Sequence, residues 1–167
     1  MKDDIILSRT SCRDFLDTPV EDEKITSILR AAMQAPSALN QQPWEFFVVK
    51  DSFLKGEIAA ITPYWGPAKE CNVLIVVCKD IKNLKSHSFS DIDCAMASEN
   101  ALLEAHAQGL GAVYLGAAPK EERIRDLALA LDIKSGLAPF GLICLGYPAK
   151  KKEPVIRYLA NKVHTIG

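Results

Sequence analysis

The 167-residue chain is short of the features that announce many protein classes. No stretch approaches about 18 uncharged apolar residues, which excludes a transmembrane helix. Charge bias is almost absent. Twenty basic and 21 acidic residues leave a formal charge of -1, so no global positive field draws in nucleic acid or an anionic membrane. Neither GxGxxG nor GxxxxGKS/T occurs, so neither a Rossmann fingerprint nor a P-loop can be argued. The five cysteines (12, 71, 78, 94, 144) are odd in number and lack CxxC spacing. That argues against a disulfide framework or a zinc site, and no metal is expected. A reducing, cytoplasmic compartment is the simplest expectation. The three histidines, at 87, 106 and 164, have no ligand-spaced partner and read as structural or solvated. Met1-Lys2-Asp3-Asp4 places charge where a secretory leader would be apolar, so no signal peptide is expected. Aromatic residues are scarce at 7%.

What is abundant is ordinary globular material: 49% hydrophobic and 25% charged residues, too apolar for disorder. Area scaling gives about 8,000 Å² folded against about 26,500 Å² unfolded, so roughly 69% can be buried in one domain spanning the whole chain. Residues 3–8 suit a short helix. Residues 21–35 form an amphipathic one, with Ile25, Ile28, Leu29, Ala32 and Met33 on one face. Acids in its first turn suit the helix dipole, and Pro36 ends it. Trp44 to Val49 reads as a strand, 52–61 as a helix, and Val73 to Cys78 as a buried strand. Residues 80–90 are loop-like. Asp91 to Gly109 reads as a long helix with small residues on several faces, closed by Gly109. Ala112 to Leu115 is a short strand, Pro119 opens a helix carrying Ile124, Leu127, Ala128 and Leu131, and Phe140 to Tyr147 is the last strand. The tail, 148–167, has no core stripe and is expected to fray or lie on a partner. The class is α+β.

Two segments carry chemistry. In Arg9-Thr10-Ser11-Cys12-Arg13, two guanidinium groups flank two hydroxyls, a set suited to phosphate oxygens. If extended, it projects 9, 11 and 13 to one side; a solvated basic turn is the plain alternative. Cys12 between the arginines could be a redox thiol, but inward packing is the favoured reading. In Pro36-Ser37-Ala38-Leu39-Asn40-Gln41-Gln42-Pro43, two prolines bracket a polar turn between helix and strand. Such a loop suits a ligand or a simple connection.

Taken in order, "SRTSCRDF" (8–15), "ITSILRAAMQAPSALNQQPWEFFVV" (25–49), "DIDCAMASENALLEAHAQGLGAVYLG" (91–116) and "LICLGYP" (142–148) resemble the nitroreductase family of FMN-dependent enzymes. The resemblance implies a central mixed or antiparallel sheet flanked by helices, with the C-terminal tail exchanged with a dimer partner. It implies that Arg9 grips the FMN phosphate, with Thr10 and Ser11 as hydroxyl or backbone contacts. Arg13 takes the place near the flavin N1–C2=O edge, where it would favour developing negative charge; this is the catalytic assignment. The turn with Pro36, Ser37, Ala38, Asn40 and Gln42 covers the flavin ring of the other subunit. The backbone of Leu115, Gly116 and Ala117 passes flavin N5, and Arg157 reaches the phosphate. Lys150, Lys151 and Lys152 read as a solvated run from which one could assist. The chain has little room for the extra helical excursion of many relatives, and the asparagine or lysine that some of them supply to the pyrimidine ring from near 60–70 is left unassigned within 61–69. Trp65, Tyr64, Phe89 and the 80–90 loop are either a substrate roof or core.

The activity so implied passes a hydride from NADH or NADPH through flavin N5 to a nitroaromatic, quinone or similar small acceptor, by a ping-pong mechanism. The unit would be a homodimer with shared FMN sites. Three alternatives stay open: a flavin store or sensor without turnover, a flavin-modifying or dehalogenating relative on the same scaffold, and a non-flavin domain whose arginines bind another phosphate.

Overall fold

A computed structural model describes residues 4–167. Residue 3 of the expected first helix, and the Met1-Lys2-Asp3 start, lie outside the described residues. The elements in order are α1 (Ile5–Ser8), α2 (Asp22–Met33), β1 (Trp44–Val49), α3 (Ser52–Ala60), α4 (Pro67–Glu70), β2 (Val73–Asp80), α5 (Ser90–Ala107), β3 (Gly111–Gly116), α6 (Glu121–Ala130) and β4 (Leu137–Gly146). The four strands form one sheet in the order β1-β2-β4-β3. All three ladders are antiparallel. A parallel bridge joins Ser11 to Ala112 outside them.

The sheet is covered on both faces, which explains why β2 reads as a continuous apolar run rather than an alternating one. Because successive side chains point to opposite faces, Val73, Ile75 and Val77 enter one core with α2 and α5. Leu74, Val76 and Cys78 enter another with Ile58, Trp65 and Leu127. In α5, Cys94, Ala97, Ala101 and Ala105 are all buried. Their small side chains let the helix lie close to both α2 and the sheet. The small residues therefore serve packing within the chain, while Ile92 and Met96 stay exposed. Gly109 closes α5 with φ +76, a left-handed conformation that glycine adopts freely.

Two details depart from the sequence expectation. Met33, at the end of its stripe, is half-exposed. Pro119 precedes α6, whose N-cap is Lys120. The chain exposes 10016 Å², against about 8,100 Å² for a folded monomer of this mass. Much of the excess is apolar: Ile6 and Leu7 on α1, and Val155, Ile156, Tyr158 and Ile166 in the tail are more than half exposed.

Candidate functional site

The segment after α1 lies along the free edge of β3. Asp4 caps α1 by accepting from the N–H groups of Ile6 and Leu7. The chain then extends, and the Cys12 N–H donates to the Ala112 carbonyl at 2.9 Å. Leu16 N–H to Tyr147 O (2.8 Å) and Ala149 N–H to Asp14 O (3.0 Å) tie the same segment to the end of β4. This pairing covers an edge that would otherwise present bare backbone groups. The close approach depends on Gly111, where an added Cβ would meet Cys12 Sγ at 2.6 Å.

Extension makes alternate side chains diverge. Ser8, Thr10 and Cys12 line a cavity of about 500 Å³, together with His106, Lys150, Lys151 and Lys152. None of Arg9, Ser11 and Arg13 lines it. Arg9 turns to α5, where Nε lies 3.5 Å from Glu99 Oε1, and Arg13 is exposed. Side chains alternate along the segment as its extension requires, and the set facing the cavity is 8, 10 and 12 rather than 9, 11 and 13. Within the cavity wall, Ser8 Oγ and His106 Nε2 are 2.7 Å apart, and Lys152 Nζ donates to Ser11 O at 3.1 Å. Burial, then the Arg9 charge, lowers the His106 pKa below its ordinary value. Among the described residues, Arg13, Lys150, Lys151 and Arg157 form no ion pair with a carboxylate. Ammonium groups beside the Thr10 hydroxyl suit a phosphate dianion, so the donor set fits the phosphate end of FMN. Arg157 lies in the exposed tail and donates to Val155 O at 3.4 Å, outside this cavity.

Cys12 is 7% exposed and donates to Asp14 O at 3.2 Å. Burial pushes its thiol pKa up, which disfavours the thiolate a redox role needs. Its environment is that of a packed cysteine.

The second segment is held at the other end of α5. Asp93, 2% exposed, accepts from the Ala38 N–H at 2.9 Å and from Gln41 Nε2 at 2.6 Å. Gln41 also bonds both backbone groups of Ser86, and the Gln42 N–H donates to Ser37 Oγ at 3.0 Å. Leu39, Asn40 and Gln42 have φ values of 54, 50 and 46 degrees, a region costly for a leucine. The network over-determines this strained turn, leaving Pro36, Leu39, Asn40 and Gln42 exposed. Asp93 and His106 are about 20 Å apart along α5 at 1.5 Å per residue. The turn and the phosphate-fitting cavity therefore do not converge within one chain. Gln41, Asp93, Ser8 and His106 were not singled out by sequence. The one available signal for Asp93 was its place in the first turn of α5, which it shares with Asp91.

The third segment, Leu115-Gly116-Ala117, ends β3. Leu115 and Ala117 are buried, and the N–H groups of Ala117 and Ala118 both donate to Phe140 O. At Gly116 an added Cβ would make only ordinary van der Waals contacts, with Ala118 O at 3.5 Å and Tyr114 Cε1 at 3.8 Å. Arg123 Nη1 donates to Gly116 O at 3.3 Å, and the Arg123 guanidinium carbon lies 5.4 Å from the centre of the Tyr64 ring. Trp65, at 1% exposure, is core rather than roof, while Tyr64 is 72% exposed.

The arrangement matches known proteins throughout its length. The model of the Nitroreductase family matches residues 6–64 and 60–147. The chain is a member of the nitroreductase family. A protein of Methanothermobacter thermautotrophicus, provisionally named NADH dehydrogenase/NAD(P)H nitroreductase, is 40% identical over 95% of this chain and 83% of its own. A crystal structure from Clostridium acetobutylicum, provisionally named an NADH oxidase, is 42% identical with TM-score 0.93, covering 96% of this chain and 98% of that one. A provisionally named nitroreductase from Desulfovibrio desulfuricans, solved in complex with FMN, is 33% identical with TM-score 0.86 and coverages of 98% and 95%. Among the described residues, no helix is long and apolar enough to cross a membrane.

Proposed function

We propose that this nitroreductase homologue is an FMN-dependent oxidoreductase that takes a hydride from NADH or NADPH and passes it to a nitroaromatic, quinone or similar acceptor by a ping-pong mechanism. The observation that carries the reading is the edge-bound Arg9–Arg13 segment, set beside a cavity lined by Glu153 and by Lys150, Lys151 and Lys152, lysines that form no ion pair among the described residues. The family membership sets its chemistry. When bound, FMN supplies the ring that accepts and returns the hydride. The residues of this chain bind and orient. Thr10, Lys150, Lys151 and Lys152 hold the phosphate from the cavity wall, and Ser11 positions Lys152 through its carbonyl; Arg9 and Arg157 reach it by leaving their present contacts with Glu99 and Val155. Arg13 offers a positive charge to the pyrimidine edge, where charge placed beside the developing anion lowers the cost of reduction. Gly116 leaves room for the ring edge at the end of β3.

The active unit in this reading is a homodimer, in which the strained turn with Pro36, Ser37, Ala38, Asn40 and Gln42 covers the flavin of the partner. Three observations support it. The turn lies far from the cavity of its own chain, the surface exceeds that of a compact monomer, and α1, α5 and the tail expose apolar side chains. Burial of such side chains across a two-fold axis is the common solution.

Colour is the test. Purified protein is expected to be yellow or to take up FMN, to bleach with NADH or NADPH without oxygen, and to recover colour on adding a nitroaromatic or quinone. Sedimentation is expected to give a dimer. Colourless protein that takes up no FMN would overturn the reading. Flavin that no nicotinamide bleaches would leave a carrier in place of an enzyme.

A further inference from the structure

Three segments meet at Arg123, which the sequence reading did not single out. The turn Pro63–Trp65 is anchored by the buried Trp65 and leaves the Tyr64 ring in solvent. The first turn of α6 supplies Arg123, half-buried. The end of β3 supplies the Gly116 carbonyl, which fixes one edge of the guanidinium at 3.3 Å. With its central carbon 5.4 Å from the Tyr64 ring centre, the guanidinium sits over the ring in a cation–π contact. One of its five N–H donors is spent on Gly116, and the rest are free to meet a planar pair of oxygens. No carboxylate among the described residues lies in ion-pair reach of it, and the nearby Asp126 is taken by Arg125 at 2.9 Å. A fixed, unneutralised guanidinium beside an exposed aromatic face is built to receive an aromatic anion.

We propose that Arg123 and Tyr64 form a specificity-determining platform, which selects acceptors carrying a carboxylate or similar planar anionic group on an aromatic ring. This rests on the reading that residues 115–117 border the flavin, because Arg123 is one hydrogen bond from Gly116. The carboxylate meets the guanidinium fork, and the ring lies against Tyr64, with the reducible group directed past Gly116.

The experiment compares 4-nitrobenzoate with its neutral counterpart 4-nitrobenzyl alcohol, using the FMN-loaded protein with saturating NADH. Calorimetric titration with benzoate, which is not reduced, gives a second readout. Losing a charge-assisted contact weakens binding by roughly ten- to hundredfold. Arg123→Gln is therefore expected to lower kcat/KM for 4-nitrobenzoate and benzoate affinity by that factor. Activity on the alcohol and the FMN content should remain unchanged. Arg123→Lys keeps the charge without the fork and should recover part of the preference. Tyr64→Ala should weaken both acceptors, the anion more. Equal losses on both acceptors, or none, with FMN bound and reduced normally, would overturn this proposal alone. Protein that holds no FMN would overturn the functional reading, and this proposal with it.

Discussion

Gly111 holds the N-terminal edge segment in place through what it lacks, and Gly111→Ala tests that directly. Its φ is not in the left-handed region, so the cost is steric. The new Cβ would lie 2.6 Å from Cys12 Sγ and 2.7 Å from Cys12 Cβ, with Pro148 Cβ at 3.2 Å. Ordinary carbon contacts are about 3.5–4.0 Å, so the strand-bound segment must retreat by about 1 Å. Overpacking of this kind costs about 1–3 kcal/mol. Loss of the Cys12 N–H to Ala112 O bond (2.9 Å) adds about 1 kcal/mol. The expected destabilisation is about 2–4 kcal/mol, which for a domain of this size lowers Tm by roughly 4–16 °C. Urea unfolding should be measured without FMN, because a ligand specific to the native state adds its own stabilisation. FMN affinity, measured separately, should fall because Arg9 and Thr10 move with the segment. The rescue is diagnostic. Cys12→Ala in the Gly111→Ala background removes the sulfur contact but leaves the Cβ contact, so it recovers only part. Cys12→Gly removes both and should recover more, less about 0.5–1 kcal/mol for glycine flexibility. A Gly111→Ala protein within about 0.5 kcal/mol of the parent, the range of an inconsequential surface change, would refute the reasoning.

Further outcomes follow from the same contacts. Arg9→Ala is expected to weaken FMN binding by about 1.5–3 kcal/mol in a fluorescence titration, whereas Glu99→Gln, which frees Arg9, should not weaken it. Asp93→Ala leaves the Ala38 N–H and the Gln41 amide without their acceptor, and should cost about 2–3 kcal/mol. It should also speed proteolytic cleavage within 36–43, the strained turn that Asp93 clamps. His106 has a depressed pKa in the fold, so below about pH 6.5, the ordinary histidine value, the unfolded chain takes up the proton first. Its contribution to stability is present above that pH and is lost as pH falls through the folded value. Urea midpoints between pH 5 and 8 should show a shallower acid-side decline for His106→Gln than for the parent.

Much of the architecture was legible because it rests on local periodicity. The stripe Ile25, Ile28 and Ala32 marks α2, the run Val73–Cys78 marks β2, and Gly109 marks the end of α5. Less legible was which neighbour each face would meet. Small residues on several faces of α5 do not say what each face meets, and it is contact with α2 and the sheet that places Ala97, Ala101 and Ala105 in the interior. Trp65 could have roofed a pocket, yet it is core, because the adjacent turn points Tyr64 outward instead. Local pattern could establish that 9, 11 and 13 share one side of an extended segment. It could not establish which side faces the cavity, because that depends on pairing with Ala112, about a hundred residues away in sequence.

By itself the sequence determined the α+β class, the order of the main helices and strands, and the family. Those follow from short-range spacing, side-chain chemistry and the order of motifs along the chain. Tertiary structure alone decided the antiparallel pairing, the clamp of Asp93 on the turn, and the Ser8–His106 contact. It also decided the meeting of Tyr64, Arg123 and Gly116. Each joins residues distant in sequence, and no propensity or period encodes which distant groups will share a hydrogen bond. The physical reason is that such contacts form only after the two cores have packed on the sheet and brought the ends of α5, β3 and α6 within reach.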